Sequence, residues 1–178
     1  MKATATLFIL LALLISSPNY GRSQAAVQKT SDDSAVFEPV IPLLQKKTDV
    51  PLRLPTYLAT EDETYPLHAI VEVATPTRYE LQLAFTPDCT GGTACRYGMV
   101  SGRALRRGAR RPRGKAVKLA HGITGYFVDA ACGANCSDST LSWNQGGYHY
   151  TVGIKAEKVG TLIKVANSAI ESKGMVKP

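Results

Sequence analysis

Residues 141–172 constrain this chain most, because they predict a β-hairpin followed directly by an amphipathic helix. Apolar side chains alternate along two predicted strands, with Leu141 and Trp143 on the first and Tyr148, Tyr150, Val152 and Ile154 on the second. Residues 144–147 end in two glycines, which supply the positive φ angles that a tight hairpin turn needs. The helix that follows carries an apolar stripe formed by Val159, Leu162, Ile163, Ala166 and Ile170. A sheet face and a helix stripe adjacent in sequence can bury each other.

Two earlier stretches, residues 67–73 and 79–85, alternate in the same way and predict two strands joined by a hairpin-length connection. The predicted apolar faces are Leu67, Ala69, Val71 and Val73 on one strand and Tyr79, Leu81, Leu83 and Phe85 on the other, with Glu80 and Gln82 opposite. Further short strands are predicted at residues 97–100, 116–119 and 123–128. Clean alternation is typical of antiparallel sheets with one solvated face. The predicted fold class is α+β: an antiparallel sheet of five to seven strands with the C-terminal helix packed on one face.

A short helix is predicted near the N-terminus. Asp32, Asp33 and Ser34 are good N-cap residues, and an apolar stripe follows them, formed by Phe37, Val40, Ile41 and Leu44. Pro42 keeps this helix short or irregular. Residues 50–55 contain two prolines and are expected to be extended, either as an edge strand or as a segment leading into the sheet. The acidic residues 61–63 are expected in a solvated loop.

Residues 1–25 have the three parts of a secretory signal peptide. Lys2 supplies the positive charge, residues 7–15 form the apolar run, and Ser23 and Ala25 are the small residues of a cleavage site. The apolar run is shorter than the roughly 20 residues that span a bilayer. The alternative to a signal peptide is a buried N-terminal helix. We therefore expect an exported protein, periplasmic or extracellular after cleavage, with no transmembrane span. The predicted remainder is a flexible leader at 26–35, a single domain at 36–173 and a tail at 174–178.

Without the signal peptide about 150 residues remain, which is enough for one domain whose core needs no metal or cofactor. The chain has four cysteines, Cys89, Cys95, Cys132 and Cys136. Export favours disulfides, and local pairing of 89 with 95 and of 132 with 136 is favoured because each pair brackets a turn. A zinc site is the alternative, although this spacing differs from the tight pairs of a zinc ribbon.

The basic charge of the chain is concentrated in residues 103–115. Seven of these thirteen residues are cationic: Arg103, Arg106, Arg107, Arg110, Arg111, Arg113 and Lys115. No acidic residue occurs between Asp88 and Asp129, and outside this segment and the signal peptide 12 basic residues stand against 14 acidic ones.

We expect the basic segment to be a mobile, solvated hairpin tip. Its arginines favour contact with an anionic envelope polymer, a membrane surface or an acidic protein, since guanidinium groups match phosphate, sulfate and carboxylate oxygens. A solvated loop without a partner is the alternative. The segment has no aromatic residue, so base stacking on nucleic acid is not supported and no specific nucleic acid is expected.

Known catalytic motifs are absent from the sequence. There is no H-E-x-x-H, P-loop or G-x-G-x-x-G, and Ser101 stands one place too late for a G-x-S-x-G nucleophile elbow. The three histidines, His68, His121 and His149, and the isolated carboxylates of Asp129 and Asp138 show no convergence in sequence. The sequence favours a non-catalytic domain, and a hydrolase acting on an envelope polymer is the alternative.

The C-terminal unit resembles a known bacterial module. Ser142, Trp143, Gly147, Tyr148 and Tyr150, followed by a strand, a helix and residues 165–168, are similar to an uncharacterised hairpin-helix domain. That domain occurs in exported and membrane-anchored envelope proteins, some of them related to anti-sigma factors. The two cysteine pairs and residues 50–55 resemble small exported proteins of the cyanobacterial type. The resemblance implies a non-enzymatic envelope domain and carries over no catalytic residue.

Overall fold

Seven strands form one antiparallel sheet in the computed structural model, which describes residues 33–60, 66–91, 94–109 and 112–172. The strands are β1 (His68–Thr75), β2 (Arg78–Ala84), β3 (Arg96–Ala104), β4 (Lys115–Lys118), β5 (Thr124–Val128), β6 (Asp138–Gln145) and β7 (Tyr148–Lys155). Two α-helices, α1 (Ile41–Lys47) and α2 (Val159–Glu171), and two 3-10 helices, Asp33–Phe37 and Ala120–Gly122, complete the described elements. The predicted α+β class, with a sheet at the upper end of the expected strand number, is confirmed.

The strand order is β1-β2-β3-β7-β6-β5-β4, and every neighbouring pair is antiparallel. The sheet therefore consists of two meanders, β1 to β3 and β4 to β7, which join where β3 pairs with β7. The predicted C-terminal hairpin is formed by β6 and β7. Its turn is the pair Gly146 and Gly147, with φ angles of +60° and +86°. β6 extends two residues into the predicted loop, to Gln145, whereas β7 begins at Tyr148 as predicted.

Helix α2 lies on the inner face of the sheet, against β6 and β7. The predicted stripe is correct at Leu162, Ala166 and Ile170, which are buried, whereas Ile163 is only partly buried against the core. Val165 and Ala169 are also buried, so the buried stripe is wider than predicted. On the sheet, Leu141, Trp143, Tyr150 and Val152 form the surface beneath the helix and are almost fully buried. The rings of Trp143 and Tyr150 stack with their centroids 5.6 Å apart, which confirms these aromatic residues as core.

Residues 48–60 lead into the sheet beside α2 and complete the cover of the inner face. Their apolar side chains are buried, namely Val50, Leu52, Leu54 and Leu58. The hydroxyl of Tyr150 donates to the carbonyl oxygen of Pro51, and the hydroxyl of Tyr79 accepts from the amide of Arg53. Burial raises the pKa of both phenols, that of Tyr150 to about 12, so both remain neutral hydrogen-bonding groups. The guanidinium of Arg53 donates to the last carbonyl oxygens of α2 and so caps that helix.

A β-bulge changes the predicted face of β1. The register shifts between Val71 and Val73, so that Ala74 rather than Val73 packs on the core. An extra residue in a strand reverses the alternation beyond it, which is why a simple period-two pattern is wrong at Val73. A second bulge lies in β3, since Leu83 pairs with Gly98 but Ala84 with Arg96. Phe85 was predicted on the apolar face of β2 but lies beyond the last residue of that strand and is exposed.

Gln82 was expected on the solvated face but is buried. The chain after β2 folds back over this side of the sheet, and the side-chain amide of Gln82 donates to the carbonyl oxygen of Cys89 at 2.9 Å. Disulfides join Cys89 to Cys95 and Cys132 to Cys136, as predicted. The first anchors this fold-back, and the second closes a short loop between β5 and β6.

The N-terminal helix is irregular, as predicted: a 3-10 helix precedes the seven residues of α1. Residues 33–35 were expected in the leader but belong to the fold, because the Asp33 carboxylate accepts from the amide of Leu58. The signal peptide, leader residues 26–32, the acidic residues 61–63 and the tail at 174–178 lie outside the described residues. None of the helices that the structure describes is long and apolar enough to cross a membrane.

Candidate functional site

The basic segment connects two strands that are not neighbours, so the prediction of a hairpin tip is wrong. β3 is the third strand of the sheet and β4 is an edge strand, with β7, β6 and β5 between them. Both edges of β3 are already hydrogen-bonded, to β2 and to β7, and β4 has no free edge of β3 to pair with. Residues 105–114, here called the crossover segment, therefore connect β3 to the edge strand β4, past β7, β6 and β5.

The cationic residues are distributed over three elements. Arg103 lies in β3 and Lys115 in β4, while Arg106, Arg107 and Arg113 belong to the crossover segment and are exposed. Arg110 and Arg111 lie outside the described residues. In the crossover segment, the amide of Leu105 donates to the carbonyl oxygen of Gly147, and the amide of Ala109 donates to that of Arg106.

Strand register places Arg103 between a cation and a histidine on the outer face, which is the face opposite α2. Arg78 of β2 is its direct neighbour on one side, and His149 of β7 is its neighbour on the other. Like charges directly opposite each other on neighbouring strands are destabilising. Arg78 has a partial partner in Glu80, at 3.9 Å, but no described carboxylate forms an ion pair with Arg103.

A cavity of about 330 Å³ lies between the outer face and the crossover segment. Its lining residues come from five elements: Arg103, Leu105, Pro112, Arg113, Val128, Thr140, Ser142, His149 and Thr151. Arg103 of β3 and Arg113 of the crossover segment bring two positive charges to it, and none of the described carboxylates lines it. A second cavity of about 380 Å³ adjoins the first, since Arg103 and Leu105 line both. Arg78 and Arg106 line only the second cavity.

His149 is a neutral member of this site. Burial, together with the adjacent Arg103 guanidinium, lowers the pKa of His149 from 6.5 to about 4. Its Nδ1 lies 2.8 Å from Oδ1 of Asn144, and since an amide oxygen accepts, Nδ1 carries the ring proton. The imidazole therefore adds hydrogen-bonding capacity near neutral pH but no compensating negative charge.

The depressed pKa of His149 predicts a specific loss of stability in acid. The unfolded chain binds a proton at this residue below about pH 6.5 and the folded chain only below about pH 4, so stability falls as pH decreases through this window. Because the ring is half-buried, solvent screening limits the effect to about 1–2 kcal/mol. We expect the wild type to lose that much more stability than His149→Gln between pH 7.5 and pH 4.5, measured by urea denaturation. Identical pH profiles for the two proteins would contradict this.

The three histidines and two isolated carboxylates singled out in the sequence are not brought together. His68 lies at the start of β1, His121 lies in the 3-10 turn before β5, and Asp138 pairs with Arg96 through two contacts of 2.6 Å. Asp129 accepts from the amide of Ala130 and the hydroxyl of Ser139. Of the five, only His149 lines the cavity under the crossover segment. Within the described ranges no group of three or more histidine, cysteine or acidic side chains could hold a metal ion.

Sequence reasoning missed Arg78 and the hydroxyls of Thr140, Ser142 and Thr151 as parts of this site. Their signal lay on the polar side of each alternating strand: residues 140 and 142 flank Leu141, and residue 151 follows Tyr150. What joins them is register, since Ser142 lies opposite Thr151 and Arg78 opposite Arg103. That register could not be read from single strands.

No protein-family model, curated protein or solved structure matches this chain. The resemblance of its C-terminal unit to an envelope hairpin-helix domain therefore stays a prediction.

Proposed function

We propose that this chain is an exported, non-catalytic envelope domain that contacts an anionic partner through its crossover segment. The observation that carries the proposal is the convergence of Arg103 and Arg113 on one cavity that has no carboxylate among its described lining residues. Charges of one sign held on a rigid sheet and on the segment that crosses it create a local positive field, which attracts anionic groups. The placement of the arginines therefore favours an anionic partner over a solvated loop without one.

Two further observations support export. Two disulfides suit an oxidising compartment outside the cytoplasm, and residues 1–25 have the composition of a signal peptide.

Among the anionic partners expected from the sequence, an acidic envelope polymer fits a row of cations better than a single acidic protein would. Arg78, Arg103 and Arg106 line one continuous stretch of surface along which such a polymer could lie.

Removing charge from the crossover segment is expected to weaken retention on a polyanion. We expect the quadruple variant Arg106→Ser, Arg107→Ser, Arg110→Ser, Arg111→Ser to elute from heparin at lower salt than the wild type. Each lost contact of the phosphate type should reduce the slope of the logarithm of the binding constant against the logarithm of salt concentration by about one unit. The measurement is the salt concentration at which each protein elutes from heparin. Binding of the same proteins to vesicles containing acidic lipid, over the same salt series, distinguishes a polymer from a membrane surface as the partner.

A matched control removes four exposed lysines from other elements: Lys46→Ser, Lys47→Ser, Lys158→Ser and Lys164→Ser. It has the same net charge as the quadruple variant but retains the crossover segment. Elution of the quadruple variant with the wild type, or an equal loss in the lysine control, would show that the segment has no special part in binding.

A further inference from the structure

We propose that the cavity beneath the crossover segment is a site for a single tetrahedral oxyanion, a phosphate or sulfate group held between Arg103 and Arg113. This inference rests on the proposed function and names the chemical group that the anionic partner would present there. The cavity is at the small end of the range typical of ligand sites, which suits one charged group of a polymer rather than a large ligand.

The two arginines that line the cavity belong to different elements. Arg103 belongs to β3, whose backbone is held by hydrogen bonds to both neighbouring strands. Arg113 belongs to the crossover segment, directly before Gly114 and β4. Guanidinium groups donate two parallel hydrogen bonds to oxyanions, and two of them can share the oxygens of one tetrahedral group.

The sheet adds hydroxyl groups to the lining of the cavity. Ser142 and Thr151 are direct cross-strand neighbours, and Thr140 lies two residues before Ser142 on the same face. Side chains in such positions are about 5 to 7 Å apart, close enough to address one group. None of the three hydroxyls has a hydrogen-bond partner among the described residues, although Ser142 is only 9% exposed. Because all three residues line the cavity, their hydroxyls can donate to an oxyanion bound there.

The charges around the cavity favour an anion over a cation or a neutral ligand. The acids of the outer face are already engaged, Glu80 with Arg78 and Asp138 with Arg96. His149 is neutral, and the like charges of Arg78 and Arg103 face each other across neighbouring strands. A bound dianion would relieve this repulsion, whereas a carboxylate offers one charge and two oxygens to the same set of donors.

The test is a titration of the ¹⁵N-labelled protein with inorganic phosphate, sulfate and acetate, followed by amide chemical shifts. We expect saturable shifts at residues 140, 142, 149 and 151 with phosphate or sulfate, and weaker binding of acetate. Phosphate should also raise the pKa of His149 from about 4, because the bound negative charge stabilises the imidazolium. Comparison of the phosphate titration with the sulfate titration shows which of the two oxyanions binds more tightly.

Matched double variants test which arginines hold the anion. Arg103→Gln with Arg113→Gln should raise the dissociation constant at least about tenfold, since two charge-assisted contacts are lost. Lys158→Gln with Lys164→Gln removes the same charge at α2, on the opposite face of the sheet, and should change the dissociation constant by less than about threefold. No saturable shifts up to about 50 mM phosphate, equal effects of the two variants, or equal binding of acetate would each overturn the proposal.

The two proposals fail in different ways. If the crossover segment does not bind polyanions, the quadruple serine variant elutes from heparin with the wild type. If only the oxyanion site is wrong, that variant still loses retention, while phosphate leaves the amides of residues 142 and 151 unshifted in the wild-type protein.

Discussion

Replacing Leu162 by alanine is expected to lower the free energy of unfolding by about 3–5 kcal/mol, whereas Ile163→Ala should lower it by about 1 kcal/mol. Leu162 is fully buried between α2 and the sheet, and its truncation leaves a cavity that the rigid surface of Leu141, Trp143 and Val152 cannot fill. Ile163 is the next residue along the helix but only packs against the margin of the core. The sequence stripe includes both residues, so this pair tests the helix orientation directly.

Urea denaturation of the wild type and both variants measures the difference. Because stabilities of natural domains are about 5–15 kcal/mol, the Leu162 variant should lose a large share of its stability and the Ile163 variant only a small one. Losses of similar size at both positions would mean that α2 is rotated relative to the orientation described above. Unchanged denaturation midpoints for both would mean that the helix does not pack on the sheet at all.

Replacing Gly102 by alanine is expected to destabilise the protein by about 2–3 kcal/mol. A Cβ atom at this position would lie 2.5 Å from Cε1 of Tyr79 and 3.0 Å from Cδ1 of Tyr150. Both rings are buried, and the hydroxyls of both are hydrogen-bonded to the segment that leads into the sheet, so neither ring can move without losing a contact. Overpacking of this kind typically costs about 1–3 kcal/mol.

Gly160→Ala is the matched control for the glycine prediction. Gly160 lies in the first turn of α2 with no atom within 4 Å of a new Cβ, so alanine should stabilise the helix by about 0.5–1 kcal/mol. Thermal denaturation of both variants should therefore shift in opposite directions. A shift in the same direction would show that Gly102 does not contact the two tyrosine rings as described.

The basic crossover illustrates how composition and topology contribute different information. Composition locates the charge: seven cations in residues 103–115 are visible in the sequence. A loop between two consecutive strands most simply forms a hairpin, and that expectation is wrong here because β7 already occupies the edge of β3 next to which β4 would pair. Only this long-range pairing brings Arg103 and Arg113 to one cavity on the outer face of the sheet.

Local periodicity by itself determined the class of fold, the C-terminal hairpin and helix, the short N-terminal helix and, through turn spacing, the two disulfides. These features depend on residues a few positions apart, whose side-chain alternation or turn chemistry is written directly in the chain. The tertiary structure decided the strand order, the β-bulge that removes Val73 from the core, and the meeting of Arg103, Arg113 and Ser142 around one cavity. Register and strand order arise from hydrogen bonds between residues distant in sequence, which no local pattern specifies.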